Sequence, residues 1–488
     1  MNKIQKQKSL KLNIVMNIFL TMSNFIFPLI TFPYVSRILL PVGTGKVSFA
    51  TSLIYYFNMF AQLGIPTYGI RTCARVRDNR EELTRTAHEL LIINIVMSIL
   101  AYIALGVALA FVPKLKEDRA LYVVISFSII LTAIGMEWLY KALEQYTYIT
   151  IRSIIFKFVA LIAMFGLVKS KNDYTIYGGI TILAASASNI FNLINAHKYI
   201  DFKPVGNYHF KRHLKAIMVF FAMACATTIY TNLDTIMLGF IKTNEDVGYY
   251  NAATKIKGIL VSIVTSLGAV LLPRVSYYIE HGQEEKFKAI SQKALNFVFL
   301  IASPMTVYFT LFAREGIFFL SGPAYEGSIM PMKLIMPTLL FIGLTNIMGI
   351  QILVPTGREK IVLYSEIAGA VVNVIINSVL IPSMAASGAA IGTVVAEFVV
   401  LLVQYYALRK EVTDVLLKIQ YPKIIVGLIL GTAASLWVAR YGTGYFLTLV
   451  ISAAAFGVAY GICLAVLRET FVTEILQQVA GRIKKIRR

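Results

Sequence analysis

Hydrophobic residues run in long, nearly unbroken stretches along most of this 488-residue chain, and short polar gaps separate them. Each stretch approaches or exceeds the roughly 20 apolar residues that a helix needs to cross a bilayer. Such continuous runs predict helices, because the strands of a membrane barrel are segments of about ten residues that alternate in polarity. The pattern therefore predicts an all-α polytopic membrane protein.

About fourteen stretches meet the length criterion for a membrane span. They are residues 12–38, 47–70, 90–112, 121–140, 151–168, 174–196, 214–241, 252–272, 295–312, 334–354, 361–381, 388–408, 424–439 and 446–467. The composition agrees, since 57% hydrophobic residues, 15% charged residues and a mean hydropathy of +0.70 lie outside the range of soluble domains.

The positive charges behind the net charge of +21 are concentrated in alternate loops, which indicates membrane topology and not nucleic-acid binding. Lys and Arg concentrate before the first span, at residues 71–85 and 198–215, and in the tail after residue 467. The alternate loops at 40–46, 242–251 and 382–387 carry few positive charges or none. The positive-inside rule then places both termini in the cytoplasm, and the basic loops can also contact anionic membrane lipids.

Cysteines and histidines form no catalytic or metal-binding pattern in the sequence. The three cysteines are far apart in sequence, and the five histidines fall in or beside predicted cytoplasmic loops, where they are interpreted as ordinary loop residues. A membrane glycosyltransferase or polymerase is a competing function, but such enzymes need a large outer loop with acidic catalytic residues. The outer loops here are short, so the sequence predicts a protein that is not an enzyme and has no cofactor or metal site.

An internal repeat is indicated at an offset of 203 residues. "GKVSFAT" at Gly45 to Thr51 matches "GYYNAAT" at Gly248 to Thr254, and the same offset pairs Arg71 with Arg274. An even number of spans separates the copies, so they share one membrane orientation and should be related by an axis along the membrane normal.

Several segments resemble one family in the expected order. They are "FPLITFPYVSRILLPVGTGKVSFA", "LGIPTYGIR", "EWLYKALEQYTYITIR", "LDTIMLGFIKTNEDVGYYNAATKI" and "NVIINSVLIPSMAASGAAIGTVVAEF". The chain thereby resembles the polysaccharide transport (Wzx-type) oligosaccharide flippases of the MATE-like (MOP) exporter superfamily. The resemblance implies two six-helix lobes in a V, residues 1–200 and 201–410, followed by two further helices and a basic tail in 411–488.

The resemblance also implies a function in a bacterial cell membrane. The substrate would be a polyprenyl-pyrophosphate-linked oligosaccharide, moved from the cytoplasmic to the outer leaflet by alternating access for cell-surface polysaccharide biosynthesis. Glycosyltransferases and a polysaccharide polymerase are the implied partners, and an H⁺ or Na⁺ gradient or the membrane potential would drive transport. Two alternatives remain open at this stage: a lipid-linked peptidoglycan precursor flippase and a MATE-type drug or cation antiporter.

Ionisable residues in or beside the predicted spans are the site candidates, because a charge in hydrocarbon is costly and is usually functional. Arg37, Arg71, Lys255 and Arg274 are predicted to bind the anionic headgroup. For Arg71 and Arg274 the competing interpretation is that they only anchor helix ends.

Acidic residues suggest coupling or gating. Asp234 and Lys255 should lie at similar depth on adjacent helices and are predicted to form an ion pair, either a switch or a static structural pair. Glu397 falls in the middle of a span and is interpreted as a coupling site or a buried protonated carboxyl.

A second set of charges is predicted to be structural. Glu137, Lys141 and Glu144 share one face at the end of the fourth span, with Lys157 on the next span, and they are predicted to form a salt-bridge cluster. Asn373 and Asn377, one turn apart, are predicted to join helices or to bind sugar.

Overall fold

The computed structural model describes residues 10–440, 444–474 and 477. These residues are almost entirely helical and include no strand, which confirms the all-α fold class. The first ten helices are α1 (Leu10–Gln62), α2 (Ile65–Val76), α3 (Arg80–Phe111), α4 (Pro113–Lys116), α5 (Arg119–Gly135), α6 (Glu137–Ala142), α7 (Tyr146–Leu167), α8 (Tyr174–Ile182), α9 (Asn189–Asn195) and α10 (Lys211–Ile241). The others are α11 (Asn244–Glu280), α12 (Glu284–Leu311), α13 (Ala313–Leu320), α14 (Ile329–Ile335), α15 (Thr338–Thr345), α16 (Glu359–Leu417), α17 (Tyr421–Ala439) and α18 (Tyr445–Val466).

The chain divides into two compact units, Met1–Gly248 and Tyr249–Arg488. Helices α1 to α10 belong to the first unit and α12 to α18 to the second, while α11 begins in the first. The division into 1–200, 201–410 and 411–488 stays a prediction.

Helix α1 is 53 residues long and contains a break at Leu40, whose φ is 59°. A straight helix of that length would extend about 80 Å, well over twice the hydrocarbon thickness. The break therefore separates two spans and falls at the start of the polar gap predicted at residues 40–46. Pro41 directly after it has no amide hydrogen to donate to a continuing helix.

Helix α7 runs parallel to the first half of α1. The Thr150 hydroxyl donates to the Met16 carbonyl at 3.0 Å, and the Tyr34 hydroxyl donates to the Val168 carbonyl at 2.9 Å. Both pairs are separated by 134 residues in sequence, and a constant separation means a parallel arrangement. Parallel packing is what the predicted topology requires of two odd-numbered spans.

Helix α16 is a hairpin in the second unit, with its break at Ala385. Gln404 donates to the Ser365 hydroxyl at 3.1 Å, and Arg358 forms an ion pair with Glu411 at 2.8 Å. Both pairs are centred on residues 384 and 385, so the two arms are antiparallel. The predicted gap at 382–387 lies at this reversal.

Ten described helical segments are long and apolar enough to cross a membrane. The number becomes eleven if Pro323–Ile335 and Thr338–Leu353, which are bent by 47°, form one broken span. Two of the ten contain the breaks at Leu40 and Ala385, so these helices are consistent with the predicted count of fourteen, which stays a prediction.

Just past its break at Leu40, α1 contacts the start of α11 through residues that the 203-residue offset relates. A Cβ atom on Gly45 would contact the backbone of Asn244 and would lie 2.8 Å from the Gly248 nitrogen. A Cβ atom on Gly248 would in turn contact the backbone of Pro41. Pro41 and Gly45 are the repeat equivalents of Asn244 and Gly248. The contact therefore joins two offset-related pairs of positions, and the duplication itself stays a prediction.

The predicted cytoplasmic orientation of residues 71–85 is testable with single cysteines. Cys73 is fully buried, so it would resist a thiol reagent on either side of the membrane. Asp78 and Asn172 are exposed and lie in gaps of opposite predicted orientation. In intact cells, a membrane-impermeant maleimide should label Asn172→Cys and leave Asp78→Cys unmodified until the cells are opened. Labelling of Asp78→Cys in intact cells would contradict the predicted topology.

Candidate functional site

A backbone turn separates α1 from α2 and brings α2 against α10. Leu63 and Gly64 both have left-handed backbone conformations, with φ of 46° and 71°. A Cβ atom on Gly64 would lie 2.5 Å from the Phe221 nitrogen of α10. Glycine therefore serves two purposes here, since it adopts the turn without strain and allows two backbones to approach closely.

The buried face of α2 packs on α6. A Cβ atom on Gly69 would lie 2.9 Å from the Trp138 indole, which is 3% exposed. Gly69 belongs to "LGIPTYGIR" and Trp138 to "EWLYKALEQYTYITIR", so two of the segments that carried the family resemblance meet here. Their contact fixes the orientation of α2.

The opposite face of α2 is open and basic. Thr67, Arg71 and Arg75 follow one another at intervals of four residues, and all three are exposed. Residues with this spacing lie along one side of a helix. Arg71, predicted as a headgroup ligand, is thus the middle member of a polar stripe on α2.

A cleft of about 450 Å³ lies at the N-terminal end of this stripe, beside Thr67, within the first unit. Its walls are the last two turns of the α1 arm that ends at Gln62, the start of α2, and the segment of α10 from Phe220 to Thr228. The polar lining residues are Tyr55, Asn58, Gln62, Thr67, Thr227 and Thr228. No charged side chain is among the described residues that line it.

Two side-chain amides of the cleft have unused hydrogen-bonding groups. Gln62 is 7% exposed, and its Nε2 has no hydrogen-bond partner among the described residues. The buried Oδ1 of Asn58, one turn earlier on α1, likewise lacks a donor in that part of the chain. Buried polar groups are normally paired, so two such amides beside one cleft indicate a place for a polar ligand or water.

A buried charged cluster contacts the buried face of α2. Glu89 of α3 is 0% exposed and accepts hydrogen bonds through Oε2 from Arg212 Nη2 at 2.7 Å and from His213 Nε2 at 2.6 Å. The backbone N–H of His209 donates to Oε1 at 2.5 Å. The carboxylate is thereby held by donors of three residues from the start of α10 and the segment before it.

Tyr68 connects this cluster to α2. Its hydroxyl lies 2.7 Å from His213 Nδ1, and His213 is 1% exposed. Hydrogen bonds thus run from α2 through α10 to α3. The interpretation of His213 as an ordinary loop residue is wrong, because the side chain is buried between two partners. A glutamate and a histidine placed at the starts of two predicted spans were the available sequence signal.

The loop before α10 is tied to the start of α3. Asn79 caps α3 by accepting hydrogen bonds from the N–H groups of Glu81 and Glu82. Arg80 forms an ion pair with Asp201 at 2.8 Å, and its hydrogen bonds hold the pKa of the Asp201 carboxyl below its usual value. These contacts position the segment that contains His209, whose N–H donates to Glu89.

Of the other predicted headgroup ligands, Arg37 belongs to the first unit, and Lys255 and Arg274 belong to the second. Arg37 is exposed, and its Nη1 donates to the Pro33 carbonyl one turn earlier at 2.5 Å. Lys255 is an exposed residue of α11 in the second unit. The side chain of Arg274 lies outside the described residues. A site that combines these cations with Arg71 stays a prediction.

Asp234 is buried in α10 at 6% exposure, within electrostatic range of the Tyr56 side chain. Asp234 and Lys255 belong to different units, and their pairing stays a prediction. Glu397 is 7% exposed in the second arm of α16. The hairpin register places it level with Val372, next to Asn373, whose Oδ1 accepts a hydrogen bond from Asn377 at 3.0 Å.

The predicted salt-bridge cluster is divided among several partners. Glu137 pairs with Lys141 at 2.8 Å, one turn away on α6. Glu144 pairs instead with Arg77 at 2.9 Å, because the turn after α6 faces the end of α2. The arginine partner of Glu144 was not foreseen from sequence.

Lys157 is held by neutral groups of α1. It is 8% exposed, and its Nζ donates to Ser23 Oγ at 2.6 Å and to Asn24 Oδ1 at 2.5 Å. Glu137 contributes only longer-range attraction to this ammonium. The parallel packing of α7 on α1 explains the choice of partners.

Comparison with known proteins extends the assignment. The chain matches the family described as "Polysaccharide biosynthesis protein" over residues 10–279, and the MatE family over residues 220–379. It is 25% identical over 358 residues to a "Putative O-antigen transporter" of Escherichia coli K12, covering 72% of this chain and 85% of that protein. A protein of the same name from Shigella dysenteriae is 24% identical over 404 residues, covering 82% of this chain and all of that protein.

Solved structures share the fold. The lipid II flippase MurJ in an inward closed conformation matches with a TM-score of 0.69 and 14% identity over 93% of this chain and 100% of that chain. An inward-facing multidrug resistance MATE family transporter of the MOP superfamily matches with a TM-score of 0.61 and 14% identity, over 83% of this chain and 99% of that one. The family match spans more than half of the sequence, which confirms the resemblance: the chain belongs to the polysaccharide biosynthesis protein family and has a MATE-like membrane fold.

Proposed function

We propose that the protein is a flippase that moves polyprenyl-pyrophosphate-linked oligosaccharides across a bacterial cell membrane for cell-surface polysaccharide biosynthesis. The observation that carries this proposal is the exposed Arg71 beside an uncharged polar cleft, in a chain of this family. The names of the E. coli and Shigella relatives support the same class of cargo.

The chemistry of the cargo requires two kinds of surface. A pyrophosphate is anionic and cannot cross hydrocarbon without large cost, so it needs a hydrated path with cations. Sugars need hydroxyl and amide partners. The lipid tail needs neither and can stay in the bilayer. The α2 stripe and the cleft offer the first two surfaces side by side.

The proposed transport cycle is alternating access, coupled to an H⁺ or Na⁺ gradient or to the membrane potential. Asp234 and Glu397 are the proposed coupling or gating residues, and Arg37, Lys255 and Arg274 are proposed as further cations on the path. Proposed partners are the membrane lipids, the glycosyltransferases that build the cargo and the polymerase that consumes it.

A second candidate is a lipid-linked peptidoglycan precursor flippase, because the fold is shared with MurJ. That cargo carries the same pyrophosphate, so Arg71 does not discriminate between the two. A drug or cation antiporter is less well supported, since an exposed arginine at the cleft repels cationic cargo.

Arg71 provides the experiment that tests the proposed function. Arginine binds phosphate oxygens through paired planar donors, so Arg71→Gln should weaken binding of undecaprenyl-pyrophosphate sugars by about 1 to 3 kcal/mol. Arg71→Lys keeps the charge but lacks the paired planar donors, so its affinity should be intermediate. The same order is expected at the repeat-related Arg274. Affinity would be measured with purified protein in nanodiscs.

Arg75 is the matched control. It lies one turn further along the same exposed stripe and away from the cleft, so Arg75→Gln should leave the affinity nearly unchanged. Equal binding by wild type, Arg71→Gln and Arg274→Gln, with all variants correctly inserted, would show that these arginines only anchor helix ends.

A further inference from the structure

The cleft beside Arg71 has the chemistry of a carbohydrate site. We propose that it binds the first sugar of the cargo, the one attached to the pyrophosphate, while the pyrophosphate lies at Arg71. This inference rests on the proposed function and adds the location and the residues of the sugar site.

Unused amide groups are the first argument. Gln62 Nε2 is a buried donor without a partner among the described residues, and Asn58 Oδ1 is a buried acceptor in the same condition. Each buried unpaired group destabilises the protein by about 1 to 3 kcal/mol. A sugar hydroxyl both donates and accepts, so one hydroxyl can satisfy either amide.

Threonine hydroxyls add acceptors on the facing wall. Thr227 donates its hydroxyl hydrogen to the Met223 carbonyl of its own helix at 3.2 Å, which leaves the oxygen lone pairs available. Thr228 lies next to it, and Thr67 lines the cleft from α2. Polar groups on three walls suit a ligand with hydroxyls around its rim.

The remaining surface is apolar or aromatic. Met59, Phe220 and the half-exposed Tyr55 contribute to the lining. Pyranose rings have apolar C–H faces as well as polar edges, and small-molecule sites typically combine an apolar lining with a few convergent polar groups. The volume of about 450 Å³ falls within the usual range for such sites.

The difference in charge between Arg71 and the cleft indicates which part of the cargo binds to each: the pyrophosphate to Arg71 and the sugar to the cleft. The described residues that line the cleft are all uncharged, so the cleft offers little to a pyrophosphate. Arg71 follows Thr67 by four residues, about one helical turn or 6 Å along α2. That spacing matches a phosphate group joined directly to a sugar.

Binding of a lipid series to purified protein in nanodiscs tests the assignment. The probes are undecaprenyl pyrophosphate without sugar and the same lipid carrying a single hexose or N-acetylhexosamine from a panel. For wild type, at least one glycosylated lipid should bind about tenfold more tightly than the sugar-free lipid. In Gln62→Leu and Asn58→Leu the difference should fall below threefold, while affinity for the sugar-free lipid stays at the wild-type value.

Loss of sugar binding in Gln62→Leu should not be caused by unfolding of the variant. Leucine at position 62 removes an unpaired buried amide, so the variant should be at least as stable as wild type in thermal unfolding. Gln283→Leu is the matched control: its amide oxygen is also buried without a partner in the described chain, but it lies in the second unit, and the sugar-dependent difference should persist.

The outcomes separate the two proposals. No binding of any lipid by wild type would overturn the proposed function and the sugar site with it. Binding of all lipids with equal affinity, or a sugar-dependent difference that Gln62→Leu and Asn58→Leu both retain, would overturn the sugar site alone.

Discussion

Glu89→Leu should destabilise the protein by about 3 to 5 kcal/mol, the largest loss expected of any single substitution considered. Glu89 is fully buried and is the shared acceptor for Arg212 and His213. Leucine fills a similar volume but leaves the buried His213 imidazole and the His209 N–H without their acceptor. Each buried donor that loses its acceptor costs about 1 to 3 kcal/mol, and two such donors together account for a loss of this size.

The thermal unfolding midpoint in detergent measures this loss. Glu81→Gln is the control, since Glu81 lies two turns earlier on α3 and its side chain is 68% exposed beside Arg85. A surface pair of that kind contributes little, so the control should stay within about 0.5 kcal/mol of wild type. Tyr68→Phe should fall between them, because it removes only the hydroxyl that contacts His213. Equal midpoints for Glu89→Leu and Glu81→Gln would show that the buried cluster contributes nothing to stability.

Features that depend on local sequence were predictable here. The reversals at Leu40 and Ala385 fall in the two predicted gaps at 40–46 and 382–387, where polar or small residues and a proline interrupt apolar runs. Both features reflect composition and backbone chemistry at one place in the chain. Neither depends on which helices become neighbours.

Features that depend on helix rotation and neighbours were not predictable from one sequence. Glu89 and His213 are 124 residues apart, and only the approach of the start of α10 to α3 brings them together. Glu144 was expected to join Lys141, yet it pairs with Arg77 because α2 ends beside it. The cleft likewise depends on the turn at Leu63 and Gly64, which a continuous predicted span of residues 47–70 did not include.

Gly45 and Gly248, which the 203-residue offset relates, should be the most size-sensitive positions where α1, just past its break at Leu40, contacts the start of α11. A methyl group on Gly45 would overlap the Asn244 backbone, and one on Gly248 would overlap the Pro41 backbone. Backbone atoms cannot move aside as a flexible side chain can, so the helices must separate. Gly45→Ala and Gly248→Ala should each destabilise by about 1 to 3 kcal/mol, as overpacking does.

The double variant distinguishes overpacking from a general effect of removing glycine. Once one alanine has separated the helices, the second finds room, so Gly45→Ala/Gly248→Ala should be destabilised by much less than the sum of the single losses. Gly106→Ala on α3 is the control, because a Cβ atom there meets nothing within 4 Å and alanine favours a helix. It should unfold at or above the wild-type midpoint. Strictly additive losses at positions 45 and 248 would mean that the two glycines act independently, and the reciprocal contact would then not be the reason that both repeats carry glycine here.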